Sequence, residues 1–518
     1  GMREWTKAQR SAIEADNQDI LVSAAAGSGK TSVLIERIMA KLRGGMPIDR
    51  LLVITFTRAA AGEMRDRLDT AIAKEASSSA HMRRKYGKIS NADISTLHTF
   101  CNKIIKRYFQ AADVDPLSRV DNGGETTALK ERALDEVMDA LYTAPGEDGA
   151  QLIRQFEDEQ ILDMARALYA FLMAQDDPWT WLNSHLTAPD EHSLFNHPWY
   201  HIALSEALLK LQGAEQLLAD CLAIARLPDG PGRYEPNALA DLELVRTILN
   251  ELNETGRLPR GANPRFDALS RKRAADNESP ELQEQFKHKR DAAKAAVLEA
   301  CALLPQEGEQ AQAAARDMAY TLPALRALAD LVKKMHDRYA ELKRARLLLD
   351  YNDLEHLALR ALNHPLVLED AAKAFDAVFV DEYQDISRIQ EAIIQKIRSK
   401  ADLFMVGDVK QSIYRFRLAD PGLFLEKFDR FSRNADAAER LIVLRENFRS
   451  RENMLNAVNL VFRGAMRSAV TEIAYDEEAA LRAGKPSAGD PPVELHLIAP
   501  DEEASADSPP EEDRLDAE

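Results

Sequence analysis

The sequence predicts an α/β fold built on a parallel sheet and interrupted by a large all-helical insertion. Three observations carry this expectation. Over roughly the first hundred residues, short apolar runs alternate with amphipathic helical patterns, the order that a parallel sheet covered by helices requires. From Thr126 to Arg346 the β-branched runs vanish, and Ala- and Leu-rich patterns at helical spacing replace them. Strand-like runs then return at residues 377–380 and 403–406, so one sheet draws on two separated stretches of chain.

The elements follow in order. Residues 19–23 read as a buried strand and 31–42 as the helix after it; 51–55 form the next strand, followed by a helix over 59–74. Inside the insertion Leu325, Leu328, Val332, Met335, Tyr339 and Leu342 recur at spacings of three and four, one face of a helix. Segments 227–237 and 258–264, rich in Pro and Gly, read as loops. Residues 493–498 alternate as a strand expected to open a further domain that this chain does not complete, and the acidic stretch 501–518 reads as disordered. The expected division is 1–120 and 344–485 for the α/β domain, 121–343 for the helical insertion, and 486–518 for the start of a further domain and the tail.

The 518 residues are too many for one compact core. No run approaches the roughly 20 apolar residues needed to span a membrane, the N-terminus has no signal-peptide pattern, and Gly1 before Met2 reads as a tag-cleavage scar. Cys101, Cys221 and Cys301 form no Cys-x-x-Cys pair, which fits a reducing cytoplasm, no thiolate metal site and burial. A net charge of −18 argues on average against a nucleic-acid partner. A groove, however, needs only local positive potential. Two stretches supply it: 83–107, with Arg83, Arg84, Lys85, Lys88, Lys103, Lys106 and Arg107, and 271–294, with Arg271, Lys272, Arg273, Lys287, Lys289, Arg290 and Lys294. On charge alone each is a solvated helix face.

Motifs say more. Ala24-Ala25-Ala26-Gly27-Ser28-Gly29-Lys30-Thr31 fits a P-loop with Ala in place of its first Gly, preceded by a strand and followed by a helix. Such small residues let backbone N–H groups curl around phosphate oxygens at a helix N-terminus. Lys30 is expected to reach the β- and γ-phosphates, and the Thr31 hydroxyl to bind magnesium. Asp381-Glu382 follows the strand ending at Val380, at the carboxyl edge where α/β sheets hold ligands. Asp381 is expected to hold Mg2+ and Glu382 to polarise an attacking water.

The string Asp381-Glu382-Tyr383-Gln384-Asp385 resembles the second motif of the superfamily 1 UvrD/Rep DNA helicases, and other signatures of that family fall in order around it. Trp5-Thr6-x-x-Gln9 resembles the adenine-reading Q motif. Thr55-Phe56-Thr57-Arg58-Ala59-Ala60 resembles motif Ia, with Arg58 where Asn is usual. Residues 95–101, through Thr96 and His98, resemble motif Ib; 406–417 resemble motif III; Glu446-Asn447-Phe448-Arg449-Ser450 resembles motif IV. Arg344 to Glu355 resembles the segment re-entering the ATPase domain, and 407–420, with Lys410 and Leu418-Ala419-Asp420, is most similar to the AddA branch of helicase–nucleases. The resemblance covers about 1–120 and 340–498.

The resemblance implies a RecA-like P-loop NTPase domain (1A) with a helical insertion (1B), using ATP and Mg2+ to move 3′ to 5′ on single-stranded DNA. Gln9 and Phe448 are then the adenine contacts, Arg449 meets the γ-phosphate, and Gln411 senses it. Phe56, Tyr414 and Phe416 stack on bases, with Thr57, Arg58, Thr96 and His98 near phosphates. Implied partners are single- and double-stranded DNA ends and an AddB-type protein, with no membrane. The later motifs and the nuclease domain of that branch are not in this sequence, so this chain alone is expected to bind nucleotide and DNA weakly and to unwind nothing. Competing readings are a stand-alone UvrD-like repair helicase and a non-hydrolysing DNA-binding scaffold; intact Lys30, Asp381, Glu382, Gln411 and Arg449 argue against the latter.

Overall fold

The computed structural model describes residues 4–16, 19–77, 79–85, 88–190, 192–259, 264–275, 277–398, 400–415, 418–433, 438–466, 475–477, 479–485 and 491–496. A six-stranded sheet organises the first and last parts of the chain. Its strands are β1 (Asp19–Ala24), β2 (Leu51–Thr55), β3 (Asp93–Thr96), β4 (Ala377–Val380), β5 (Asp402–Gly407) and β6 (Glu439–Leu444), in the order β3-β2-β4-β5-β1-β6. All neighbours are parallel. Val22 of β1 sits opposite Val406 of β5 on one side and Ile442 of β6 on the other.

Every residue of β1, β2 and β4 is buried, as helices on both faces demand. Alternate side chains go to opposite faces. Leu21, Leu52, Ile54, Val378, Val380 and Met405 pack with helices Leu97–Arg107, Tyr351–Asn363 and Arg388–Ile397. Ile20, Val22, Val53, Phe379, Phe404 and Val406 pack with helices Lys30–Arg43 and Arg58–Ala76. Of the five strands expected from sequence, the four over 19–23, 51–55, 377–380 and 403–406 are present. Two more, β3 and β6, are not among the expected strands: β3 has four residues ending in Ser-Thr, whereas β6 does carry an apolar run, Leu441-Ile442-Val443-Leu444, at the sheet edge.

Among the described residues between β3 and β4 the chain is mostly helical, from Gly124–Thr143 to a 37-residue helix, Glu309–Ala345, with an irregular stretch between Thr255 and Pro280. That long helix buries Leu328, Val332, Met335 and Tyr339 in one apolar cluster and Ala311 in another. Arg119–Val120 pairs in parallel with Leu348–Leu349, so the chain leaves and returns at one place. Residues 493–496 correct an expectation: they form no strand and are exposed. The physical reason is that no described strand lies beside them, and an isolated strand is not stable in water. The rest of that segment, from 497, and the acidic stretch 501–518 lie outside the described residues.

Part of the basic character is consumed internally. Lys103 pairs with Asp93, Arg107 with Asp370 and Lys289 with Asp220. Arg290 is 7% exposed, donating to Asp241 Oδ2 at 2.6 Å and to the Asp267 carbonyl at 2.7 Å. Cys101 and Cys221 are buried and Cys301 half-buried, and burial raises all three thiols. Among the described residues no helix is long and apolar enough to cross a membrane.

Removing one partner of a buried ion pair strands the other charge, at a cost of about 3–5 kcal/mol. Arg290→Met is therefore expected to lower unfolding stability by about that amount in urea titration, whereas Arg271→Glu, in an exposed position, leaves it within about 0.5 kcal/mol. Equal effects would contradict the internal role of Arg290.

Candidate active site

Six of the seven motif segments follow the carboxyl ends of the six strands, and the seventh, residues 5–9, opens helix Lys7–Glu14. β1 ends at Ala24, and the chain turns through Ala25, Ala26, Gly27, Ser28 and Gly29 into helix Lys30–Arg43. Gly27 and Gly29 have φ of 69° and 85°, a left-handed region that favours glycine. Gly27 also permits a close approach: a Cβ there would stand 2.7 Å from Asn447 Nδ2 and 2.9 Å from Arg449 Cβ. The loop is tied to the segment after β6. Asn447 Nδ2 donates to the Ala26 carbonyl at 2.6 Å, and the Phe448 N–H to the Gly27 carbonyl at 2.9 Å. Asn447 Oδ1 accepts from the N–H groups of Arg449 and Ser450, both at 2.8 Å. Phe448 and Arg449 are thereby fixed beside the loop, Phe448 half-buried and Arg449 exposed.

On the other side, Thr6 and Gln9 form a capping box that starts helix Lys7–Glu14. Gln9 Nε2 donates to the Ser28 carbonyl at 2.8 Å. The buried guanidinium of Arg37 donates to the carbonyls of Ala12, Ile13 and Ala15, closing that helix against the helix after the loop. Ser28 Oγ is buried with no partner. An unsatisfied hydroxyl inside a loop of small residues fits a site for a polar, multiply accepting group such as phosphate. Thr31 follows at the second helical position, half-buried.

Two sheet positions away, Lys30 Nζ lies 3.1 Å from Glu382 Oε2 and 3.3 Å from Oε1. Glu382 has φ of 52°, strained for a residue with a side chain. Gln384 ties the carboxylates to the end of β5: its Nε2 donates to Glu382 Oε2 at 2.9 Å and Asp385 Oδ2 at 3.1 Å, and its Oε1 accepts from the Asp408 N–H at 3.0 Å. Buried Asp408 in turn accepts from Gln411 Nε2 at 2.8 Å and pairs with Lys410 at 2.9 Å. Burial, then the Glu382 carboxylate, push Asp381 up to about 6 against the pull of Lys30.

The expected nucleic-acid residues lie beside this edge. Phe56 and Tyr414 stack, with ring centroids 4.6 Å apart and planes tilted by 30°. A cleft of about 430 Å3 is lined by Phe56, Thr57, Thr96 and His98 together with Asp381 and Glu382. Arg58 is exposed. Thr57 and Thr96 cap helices Arg58–Ala76 and Leu97–Arg107 with their hydroxyls, and Thr96 is buried. Phe416 lies outside the described residues.

Sequence reasoning did not single out Gln384, Asp408, Asn447 or Arg37. A signal existed for Asp408, an acid directly after an apolar strand. The other three act by bonding to segments remote in sequence.

Burial, then Glu382, push Asp385 up to about 6. Its folded pKa exceeds the unfolded value, so its ionised form costs stability that is absent at low pH and grows as pH rises from about 4 to about 6. Asp385→Asn keeps the acceptor for Gln384 and is expected to raise the thermal midpoint at pH 7.5 by about 2–4 °C. The gain should disappear towards pH 4. Melting curves across pH check this, and a pH-independent gain would contradict it.

Comparison with known proteins places these features in a family. The family model described as UvrD/REP helicase N-terminal domain matches residues 5–432. The chain is 38% identical to an ATP-dependent helicase/nuclease subunit from Alkaliphilus oremlandii, covering 96% of the chain and 42% of that relative. It is 36% identical to proteins of the same name from Geobacillus thermodenitrificans, covering 93% of the chain and 41% of the relative, and from Bacillus cereus, covering 97% and 43%. It thus spans well under half the length of these relatives. With its P-loop, carboxylate pair and stacked aromatics at one sheet edge, the chain belongs to the UvrD/REP helicase N-terminal domain family.

Proposed function

We propose that this chain is the ATP-binding motor portion of a DNA helicase that moves 3′ to 5′ on single-stranded DNA, within a helicase–nuclease that resects double-strand ends. The observation that carries the reading is the shared cleft, in which Asp381 and Glu382 line the same wall as Phe56 and His98. Chemistry at the nucleotide and grip on a strand can then be coupled over one side-chain layer. ATP and Mg2+ supply the phosphoryl group and the charge that balances it. Lys30 and the loop of residues 24–29 hold phosphate oxygens, while Thr31 and Asp381 would hold the cation.

Glu382 polarises the attacking water, and Arg449 neutralises charge developing at the γ-phosphate. Gln9 and Phe448 hold adenine. Gln411, bonded to Asp408 and through it to Gln384, relays the state of the phosphate site to Tyr414. Phe56, Tyr414 and Phe416 stack on bases without reading them, and Thr57, Arg58, Thr96 and His98 line the backbone path. Residues 1–120 and 344–485 constitute a RecA-like domain 1A, 121–343 its all-helical insertion 1B, and 486–518 the start of 2A. The place of work is the cytoplasm. The helicase/nuclease names of the relatives suggest an AddB-type protein as partner.

Hydrolysis of ATP by this chain is expected to rise on adding single-stranded DNA, and Lys30→Ala to reduce it by at least about a hundredfold. Turnover that survives Lys30→Ala would contradict the assignment of the loop. Phe56→Ala is expected to weaken binding of an oligothymidylate by about tenfold, as loss of one stacked base does. Unchanged affinity would move the strand elsewhere.

A further inference from the structure

Two cavities meet at a shared wall. The cleft of about 430 Å3 beside the carboxylates and a second cavity of about 610 Å3, lined by Arg58, Arg65 and Lys103, share Thr96, His98 and Tyr351 as wall residues. The His98 side chain is 38% exposed, whereas that of Glu355 behind it is 6% exposed, with Oε1 3.0 Å from His98 Nε2. The same oxygen accepts a 2.7 Å bond from Gln390 Nε2, and the Tyr351 ring lies 5.0 Å from the imidazole. Gln390 belongs to the capping box with Ser387 that starts helix Arg388–Ile397, directly beyond Asp385. Among the described residues no lysine or arginine pairs with Glu355.

A carboxylate this buried is costly unless its oxygens are bonded; here the bonds go to an imidazole and an amide. An imidazole left alone turns in a broad two-fold well and exchanges tautomers. An acceptor at one nitrogen fixes both and leaves the second nitrogen for a ligand. We infer that Glu355 is a positioning residue for nucleic-acid binding. It holds His98 at the wall between the base cleft and the basic cavity, accepting from Nε2–H so that the imidazolium presents Nδ1–H as a donor to the phosphate backbone of single-stranded DNA. This rests on the reading that the cleft carries DNA. Arg65, which donates to the Ile94 carbonyl, and Lys103, which pairs with Asp93, are already engaged. His98 and Arg58 are then the side chains of that wall best able to meet a phosphate.

The test is a double-mutant cycle on this chain, read by fluorescence anisotropy of a labelled oligothymidylate, with thermal midpoints measured on each protein. His98→Ala and Glu355→Leu are each expected to raise Kd about tenfold, the effect of losing one charge-assisted hydrogen bond, and the double variant to lose nothing more. Glu355→Gln, which keeps the acceptor, should stay within about threefold of the unaltered chain. If Glu355→Leu does not fold, Gln390→Leu replaces it, expected to weaken binding only when His98 is present. Multiplicative losses in the double variant, or a Glu355→Leu protein that binds as tightly as the unaltered chain, would overturn the inference and leave Glu355 a tie between two helices. An unaltered chain that does not bind the oligonucleotide overturns the DNA reading and this inference together.

Discussion

β1 lies between β5 and β6 in parallel register, and the site follows from that placement. Register brings the end of β1 level with Gly407 on one side and Leu444 on the other. The loop that leaves β1 must therefore turn between Asp408 and Asn447, and it can do so only with backbone that bends through left-handed conformations at Gly27 and Gly29. Asn447 then fills the space a Cβ would need and bonds the loop carbonyl at Ala26. Parallel strands put all their carboxyl ends on one edge, so a lysine from the β1 loop and a glutamate from the β4 loop meet although 352 positions separate them.

The strain at that edge has a functional sense. Glu382 sits in a left-handed conformation, and the carboxyls of Asp381 and Asp385 are held in surroundings that penalise their charge. Such costs persist where the surrounding structure over-determines them, and they cluster at sites where ligand binding relieves them. Lys30 compensates part of that charge. Its partner Glu382 is also the group assigned to water activation, so an arriving phosphate would release that carboxylate. In the proposed mechanism the bonds from Glu382 through Gln384 and Asp408 to Gln411 would carry the change towards the aromatic pair.

Much of this was legible in the sequence, for a physical reason. Strands buried on both faces read as continuous apolar runs, and chemistry-bearing residues sit directly after them; hence Lys30, Asp381 and Phe56 could be placed from sequence alone. What escaped is equally informative. β3 is short and ends in Ser-Thr, so it does not announce itself by apolarity, whereas β6 carries a readable run, Leu441 to Leu444, that went unused. Asn447, Gln384, Glu355 and Arg37 work by bonding to segments remote in sequence, which no local pattern encodes. Residues 493–496 have strand-like alternation but no described neighbour to pair with. In the basic stretches, Arg290 and Lys289 proved to be internal ties, a distinction that only burial reveals.

The measurement that bears most directly on this account is the thermal shift produced by Mg2+ with a non-hydrolysable ATP analogue on the unaltered chain, Lys30→Ala and Glu382→Gln. If Lys30 is held by Glu382 until phosphate replaces it, the unaltered chain should shift upward, Lys30→Ala should show little or no shift, and Glu382→Gln, with its lysine already free, should shift more than the unaltered chain. Equal shifts in all three proteins would contradict the assignment of this sheet edge as the nucleotide site.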